Sequence, residues 1–196
     1  MTTPDLVAAM HPIADAFEHL GVRYYIGGSV ASSARGVPRA SIDVDMAAEL
    51  RPHHVAAFVA ALQGQYYVTE DRVREAVSAR RSFNAIHLAT MMKVDVFVSR
   101  GRPFDRSAFE RLTAEVLDAV GPSRGYPIPC AEDVILLKLE WCRAAGEVSD
   151  RQWGDAVGVI RVAGGALDRK YLARWAPELG VSDLLERALA AAEAAG

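Results

Sequence analysis

Two aspartates separated by one residue, Asp43 and Asp45, have the types and spacing that metal binding requires. They lie in a segment, Ser41 to Ala47, where polar residues alternate with apolar ones such as Ile42, a pattern that predicts a β-strand. Side chains two residues apart in a strand share one face and lie roughly 6.5 to 7 Å apart. Such an all-oxygen pair suits Mg²⁺ or Mn²⁺. The alternative is a solvated pair on an exposed strand.

A glycine pair followed by serine, Gly27-Gly28-Ser29, could bind an anion. The preceding residues, Val22 to Ile26, are β-branched and aromatic and predict a strand, and a helix is predicted to open at Ser29. Backbone N–H groups and the helix dipole at such a turn favour a phosphate. The alternative is a plain tight turn in which Ser29 caps the helix.

A third carboxylate, Asp95, lies on a later predicted strand, Met91 to Val98, on the same face as Lys93. By itself it could be a charged residue on the open face of a sheet. Together with the two other aspartates and the glycine turn, however, it completes the parts that two-metal phosphoryl transfer requires.

These motifs resemble those of the nucleotidyltransferase superfamily, which has the polymerase-beta-like fold. The resemblance rests on GGSVASSARGVPRASIDVDM followed by KVDVFV. It extends into PCAEDVILLKLEW and EVSDRQWGDAVGVI, which are similar to the C-terminal helical segment of small AbiEii-type toxin nucleotidyltransferases. It covers the chain from about Tyr24 to Ile160.

The resemblance implies a role for each matching residue. Gly28 and Ser29, with Gly27 in the same turn, would bind the β and γ phosphates of a nucleoside triphosphate. Asp43 and Asp45 would hold both metal ions.

Three further sets of residues match the pattern or depart from it. Asp95 would hold the catalytic metal ion and help to deprotonate the attacking hydroxyl, while Lys93 and Lys138 would face the nucleotide. Asp150 and Asp155 match acidic positions that follow the lysine helix. Cys130 is a departure, since a Ser or Thr that would cap that helix often stands there.

The remaining patterns predict an α/β (α+β) fold, with a small mixed sheet and flanking helices followed by a C-terminal helical segment. Helical spacing is found near Asp5 to Leu20 and from Pro52 to Leu62, and further strands are predicted at Tyr66 to Thr69 and Ser82 to Leu88. After Cys130 the pattern is helical. The Pro- and Gly-rich stretch from 121 to 129 predicts a boundary between a catalytic core, residues 1–122, and the helical segment, residues 123–196.

Composition and sequence patterns argue against several classes of protein. The 196 residues carry a formal net charge of −3, which gives no strong global signal for nucleic-acid binding. The chain shows neither a membrane-spanning run nor a signal peptide, so we expect it to be cytoplasmic. Cys130 and Cys142 have no zinc-type spacing and are expected to be reduced structural thiols.

We therefore expect a metal-dependent enzyme that transfers a nucleoside monophosphate from a nucleoside triphosphate, ATP among the candidates, to an acceptor hydroxyl. The acceptor stays open among tRNA, protein and a small molecule such as an aminoglycoside. Such an enzyme could be the toxin of a toxin-antitoxin pair, in which case an antitoxin partner is expected. The alternatives are a catalytically silent nucleotide-binding or interaction module and, least favoured, a phosphohydrolase.

Overall fold

A computed structural model describes residues 3–41, 43–117 and 124–194. Ile42 and the predicted boundary after residue 122 lie outside these ranges, so that boundary stays a prediction. By backbone contacts the chain forms two compact units. The first comprises Met1–Gly27 and Ala40–Ile128, and the second comprises Gly28–Arg39 and Pro129–Gly196.

Five strands of the described chain form a mixed sheet in the first unit. They are β1 Tyr24–Ile26, β2 Asp43–Ala48, β3 Tyr66–Tyr67, β4 Ser82–His87 and β5 Lys93–Val98. Their order is β1-β2-β5-β4-β3, in which β2 and β5 run parallel and the other neighbours antiparallel. The parallel pair therefore lies at the centre of the sheet.

The alternation of apolar and polar residues in the two central strands fixes which face is buried. Val44, Met46, Val94 and Val96 are fully buried on one face. Because side chains alternate along a strand, the aspartates of β2 and β5 must occupy the opposite face. Burial of the valine face thus places the charged residues together on the other side of the sheet.

Helices and a small hairpin complete the first unit. The helices are α1 Thr3–His19, α3 Val55–Ala61, α4 Glu70–Ala79 and α5 Pro103–Glu110, with a 3-10 turn at Pro52–His54. Strands β6 Thr113–Val116 and β7 Gly125–Ile128 pair antiparallel. The rings of Phe17 and Phe58 stack with centroids 5.0 Å apart, and Phe58 meets Phe83 edge-on, which joins helices to the buried face of the sheet.

The second unit is helical in all its regular structure within the described residues. It contains α2 Gly28–Arg35, α6 Ala131–Ala144, α7 Asp150–Ala163, α8 Arg169–Glu178 and α9 Ser182–Glu193, with a 3-10 turn at Gly164–Ala166. Asp168 caps α8, because its side chain accepts a hydrogen bond of 3.0 Å from the backbone N–H of Tyr171. Aspartate is one of the residue types that are preferred at this position. The core of the second unit contains the fully buried side chains of Leu136, Leu139 and Val159.

The predicted fold class is confirmed: the molecule has a mixed sheet with flanking helices and a helical C-terminal part. The strand predicted from Val22 begins only at Tyr24, since the N–H of Val22 still bonds to the carbonyl of Phe17. The helix predicted from Pro52 to Leu62 opens with a 3-10 turn. No helix in the described part of the chain is both long and apolar enough to cross a membrane.

Candidate active site

The register of β2 and β5 brings the three predicted carboxylates onto one face of the sheet. Asp45 lies opposite Asp95, and Asp43 lies opposite Lys93. Neighbouring strands are about 4.8 Å apart, so the backbones that carry Asp45 and Asp95 are close neighbours. The alternation in the sequence predicted that Asp43 and Asp45 share one face of β2. The parallel pairing of β2 with β5 places Asp95 beside them.

Both oxygens of Asp95 have partners. The Nζ of Lys93 lies 2.5 Å from Oδ2, and the Nδ2 of Asn84 donates a hydrogen bond to Oδ1. Asn84 belongs to β4 and lies directly opposite Asp95 in the antiparallel β4–β5 pair. The Asp95 side chain is only 13 % exposed. Its carboxylate is therefore held from both sides rather than being free in solvent.

The ammonium of Lys93 brings a positive charge to this face of the sheet. Its pKa is raised above the ordinary lysine value, first by the hydrogen bond to Asp95 and then by attraction to Asp95, Asp43 and Asp45, against a lowering by partial burial. Lys93 therefore lies within electrostatic reach of all three carboxylates. Lys93 consequently stays charged at neutral pH and offsets part of the negative charge of the group.

The donor set fits a hard divalent cation by type, because it offers carboxylate oxygens from adjacent strands. In the described residues no three His, Cys, Asp or Glu side chains converge closely enough to hold a metal ion as they stand. The contacts of Asp95 show what would have to change, since Oδ2 is the oxygen bound by Lys93. A cation shared by Asp43, Asp45 and Asp95 would therefore replace the ammonium as the partner of that oxygen.

The glycine turn begins beside the second aspartate of β2. The N–H of Gly27 donates to the backbone carbonyl of Asp45 at 2.8 Å. Gly28 has a φ of +54°, a conformation that residues with a Cβ rarely adopt, and α2 begins at this residue rather than at Ser29 as predicted. Ser29 is buried. The requirement for glycine at position 28 is thus conformational, and its predicted contact with phosphate stays a prediction.

In the second unit, Lys138 lies in a buried ionic cluster centred on Asp155. Lys138 Nζ donates to Asp155 Oδ2 at 2.7 Å, and the two side chains are 6 % and 8 % exposed. Arg39 binds the same carboxylate with two hydrogen bonds, from Nε to Oδ1 and from Nη2 to Oδ2, each 2.8 Å long. Ser32 donates to Oδ2 at 3.0 Å. The cluster therefore ties α2 and the following loop to α6 and α7.

These contacts set the protonation state of Asp155. Burial alone would raise the pKa of the carboxyl, but the hydrogen bonds from Arg39 and Lys138, the charge of Lys138 and the hydrogen bond from Ser32 outweigh burial and lower the pKa to about 2. Asp155 is therefore ionised throughout the neutral range, and it acts as a fixed negative partner for two cations. The family resemblance pointed to Lys138, as a residue facing the nucleotide, and to Asp155, as a matching acidic position, but no sequence pattern assigned a role to Arg39 and Ser32.

A cavity of about 280 Å³ adjoins this cluster within the second unit. Both acidic residues that the resemblance singled out, Asp150 and Asp155, contribute to it. Gly154 also lines the cavity, and a Cβ at this position would meet no atom within 4 Å. The remaining lining residues are Ser32, Val37, Arg39, Arg151 and Gly158.

The helix that carries Lys138 begins at a cysteine, as the sequence indicated. Cys130 occupies the N-cap position of α6 and makes no side-chain capping hydrogen bond to the backbone. Its Sγ donates instead to Asp133 Oδ2 at 2.8 Å. Cys130 and Cys142 are both free thiols.

The mixed sheet, its aspartate-bearing central strands and the helices that follow define a nucleotidyltransferase-type fold. No family model and no curated protein matches the chain. Among solved structures, the solution structure of the antibiotic-resistance factor ANT(2'')-Ia is similar, with a TM-score of 0.56 and 16 % identity over 95 % of this chain and 99 % of that one.

A crystal structure of ANT(2'')-Ia in complex with adenylyl-2''-tobramycin gives a TM-score of 0.55 at 14 % identity, over 91 % of this chain and 97 % of that one. The lincosamide antibiotic adenylyltransferase LnuA, with lincomycin bound, gives a TM-score of 0.44 at 14 % identity, over 76 % of this chain and 93 % of that one. The likeness to ANT(2'')-Ia establishes the fold of this protein.

Proposed function

We propose that this protein transfers a nucleoside monophosphate from a nucleoside triphosphate to a hydroxyl group of a small-molecule acceptor. The observation that carries the proposal is the register of the central strands, which places Asp45 opposite Asp95 with Asp43 on the same face. Two-metal phosphoryl transfer uses carboxylates grouped in this way. The small-molecule acceptor is favoured because the ANT(2'')-Ia complex contains an adenylylated aminoglycoside. ATP is accordingly the first donor to test.

The reaction is an in-line displacement at the α-phosphorus. A bond forms between the acceptor oxygen and Pα, the bond from Pα to the bridging oxygen of pyrophosphate breaks, and pyrophosphate leaves. Asp95 takes the proton of the acceptor hydroxyl. Mg²⁺ or Mn²⁺ held by Asp43, Asp45 and Asp95 would supply Lewis-acid stabilisation of the developing negative charge.

The remaining predicted residues act on the triphosphate. We assign Gly28 and Ser29 to its β and γ phosphates, with Gly27 anchoring the turn to β2 through the carbonyl of Asp45. Lys93 and Lys138 supply positive charge toward the nucleotide. The ionised Asp155 holds the Lys138 side chain in place, because their contact is buried and only 2.7 Å long.

The test is incubation of the purified protein with each α-labelled nucleoside triphosphate and Mg²⁺ or Mn²⁺. The acceptors are a panel of aminoglycosides and lincosamides, total tRNA and cell protein, and the labelled classes are then separated. The variant is Asp45→Asn. The matched control is Asp71→Asn, which removes one carboxylate from an exposed position on α4.

Label in a small-molecule fraction that disappears in Asp45→Asn and persists in Asp71→Asn supports the proposal. Label in tRNA or protein would contradict the acceptor class and favour the toxin prediction, for which an antitoxin partner is expected. Release of free labelled monophosphate would indicate a phosphohydrolase. Triphosphate binding without any labelled product would contradict the proposal and indicate a silent binding module.

A further inference from the structure

Asn84 lies at the carboxylate face, and the proposed mechanism gives it no role. It lies on β4, and its position in the antiparallel register is directly opposite Asp95. The burial pattern of β4 places Phe83 and Ala85 in the core and leaves Ser82 and Asn84 exposed on the aspartate face. Asn84 thus faces the third carboxylate from the side opposite to Asp45.

The contact between Asn84 and Asp95 is directional. The amide Nδ2 of Asn84 donates to Oδ1 of Asp95, while Lys93 binds Oδ2. One oxygen is therefore held by a neutral donor on a neighbouring strand, and the other is held by a charged, flexible side chain that can move away. The two oxygens differ in the ease with which they can change partner.

The residue type is informative because asparagine and aspartate have almost the same shape. An aspartate at position 84 would place a fourth carboxylate against Asp95 and could only accept a hydrogen bond. Like charges directly opposite each other on neighbouring strands are destabilising. The amide supplies a donor where a carboxylate would repel.

We infer that Asn84 is a positioning residue for Asp95, holding Oδ1 so that Oδ2 is the oxygen that leaves Lys93 for the reacting group or the cation. This inference rests on the proposed function for its catalytic consequence, whereas the contact itself can be tested separately. Partners that orient a metal-binding carboxylate typically affect metal affinity or activity about 10- to 100-fold when they are removed.

The variants are Asn84→Ala, which removes the donor, Asn84→Asp, which replaces it with a carboxylate of the same shape, and Asn84→Gln, which keeps an amide on a longer side chain. The control is Ser82→Ala, an exposed change on the same strand and face. Because position 84 is exposed, none of these changes should prevent folding, and thermal melting checks this.

In the transferase assay we expect kcat to fall at least about tenfold in Asn84→Ala and further in Asn84→Asp, with KM for the triphosphate within twofold of the wild type. Asn84→Gln should recover part of kcat, and Ser82→Ala should match the wild type. Because a smaller folded fraction would also lower the apparent kcat at an unchanged KM, each kcat is corrected for the folded fraction that thermal melting gives. Wild-type kcat in both Asn84→Ala and Asn84→Asp would overturn the inference.

A second readout does not depend on turnover. The Kd for Mn²⁺, measured by titration calorimetry, should rise about tenfold in Asn84→Ala and stay unchanged in Ser82→Ala. If the wild type transfers no nucleotide, the proposed function fails, and the Mn²⁺ titration alone decides the inference. Equal Mn²⁺ affinity in the wild type and Asn84→Ala, or no Mn²⁺ binding by the wild type, would then overturn it.

Discussion

Asp45 lies directly opposite Asp95 on the adjacent parallel strand, and both point to the face of the sheet that is not buried in the core. Two carboxylates in this position repel each other, and cross-strand pairs of like charge destabilise a sheet by roughly 0.2 to 1 kcal/mol. Lys93 offsets part of this repulsion through its contact with Asp95. The arrangement is therefore poor for stability and suited to binding a cation.

The first prediction concerns Asp45→Asn. This change removes one of the two facing charges, so we expect the free energy of unfolding to rise by roughly 0.5 kcal/mol or to stay unchanged. Nucleotidyl transfer should fall at least about 100-fold, because a group that stabilises charge in the transition state is lost. Urea unfolding and the labelled-nucleotide assay measure the two effects. Activity within twofold of the wild type would contradict the assignment.

The second prediction concerns the charge at Asp155. Its carboxyl has a pKa of about 2 in the folded protein, below the ordinary aspartate value of 3.8. Because the pKa of Asp155 is lower in the folded than in the unfolded protein, the ionised carboxylate stabilises the fold above about pH 4. This stabilisation is lost as the pH falls toward 2. The ionised carboxylate thereby contributes about 2 kcal/mol at neutral pH.

Asp155→Asn should therefore lower the free energy of unfolding by about 3 kcal/mol at pH 7, because Arg39 and Lys138 would lose their shared buried counter-charge. The difference from the wild type should shrink by about 2 kcal/mol on going from pH 5 to pH 2. Urea titrations across that range test this. A difference independent of pH would show that the stabilisation does not come from the charge of Asp155.

Some of this architecture could be predicted from sequence because it depends on local patterns. The alternation in β2 and β5 predicted both strands and the face that carries Asp43, Asp45 and Asp95, since a period of two is a property of neighbouring residues. Which strands become neighbours depends on contacts that are distant in the chain. The pairing of Asn84 with Asp95 belongs to this second class, so Asn84 gave no signal in the sequence.

The same reason explains why the partners of Asp155 were missed. Ser32 is 123 residues away from Asp155 in the chain, and Arg39 is 116 residues away. Strand β7 was missed for a different reason: its Pro127, together with nearby glycines and prolines, is typical of a loop. Proline is tolerated here because β7 pairs with a single neighbour, β6, in a two-stranded sheet.

The third prediction compares two glycines of the second unit. A Cβ at Gly36 would lie 2.9 Å from the backbone N of Val159 in α7 and 3.0 Å from the carbonyl oxygen of Ser32. Since backbone atoms cannot move aside cheaply, Gly36→Ala should cost about 1 to 3 kcal/mol of folding free energy.

Gly154→Ala is the matched change, because it lies inside α7 and its Cβ would meet no atom within 4 Å. Alanine has the higher helix propensity, so this variant should gain up to about 1 kcal/mol. Thermal and urea unfolding of the pair test the prediction. Loss of stability of similar size in both variants would contradict the close packing of Gly36 against α7.

The fourth prediction concerns the N-cap of the helix that carries Lys138. Cys130 has the extended backbone of a capping residue, with φ −67° and ψ 169°, but its thiol donates to the carboxylate of Asp133 and does not form the side-chain hydrogen bond of a helix cap. Burial, followed by the charge of Asp133, raises the pKa of the Cys130 thiol, so the group is uncharged at neutral pH. Cys130→Ser consequently removes no charge and introduces a good capping acceptor.

We therefore expect Cys130→Ser to raise the free energy of unfolding by about 1 kcal/mol. Cys142→Ser is the control on the same helix, because Cys142 is 2 % exposed and a hydroxyl there would enter the core, at a cost of about 1 to 2 kcal/mol. The two serines should thus shift the urea midpoint in opposite directions. A decrease in both variants would mean that the Cys130 thiol stabilises α6 better than a hydroxyl cap could.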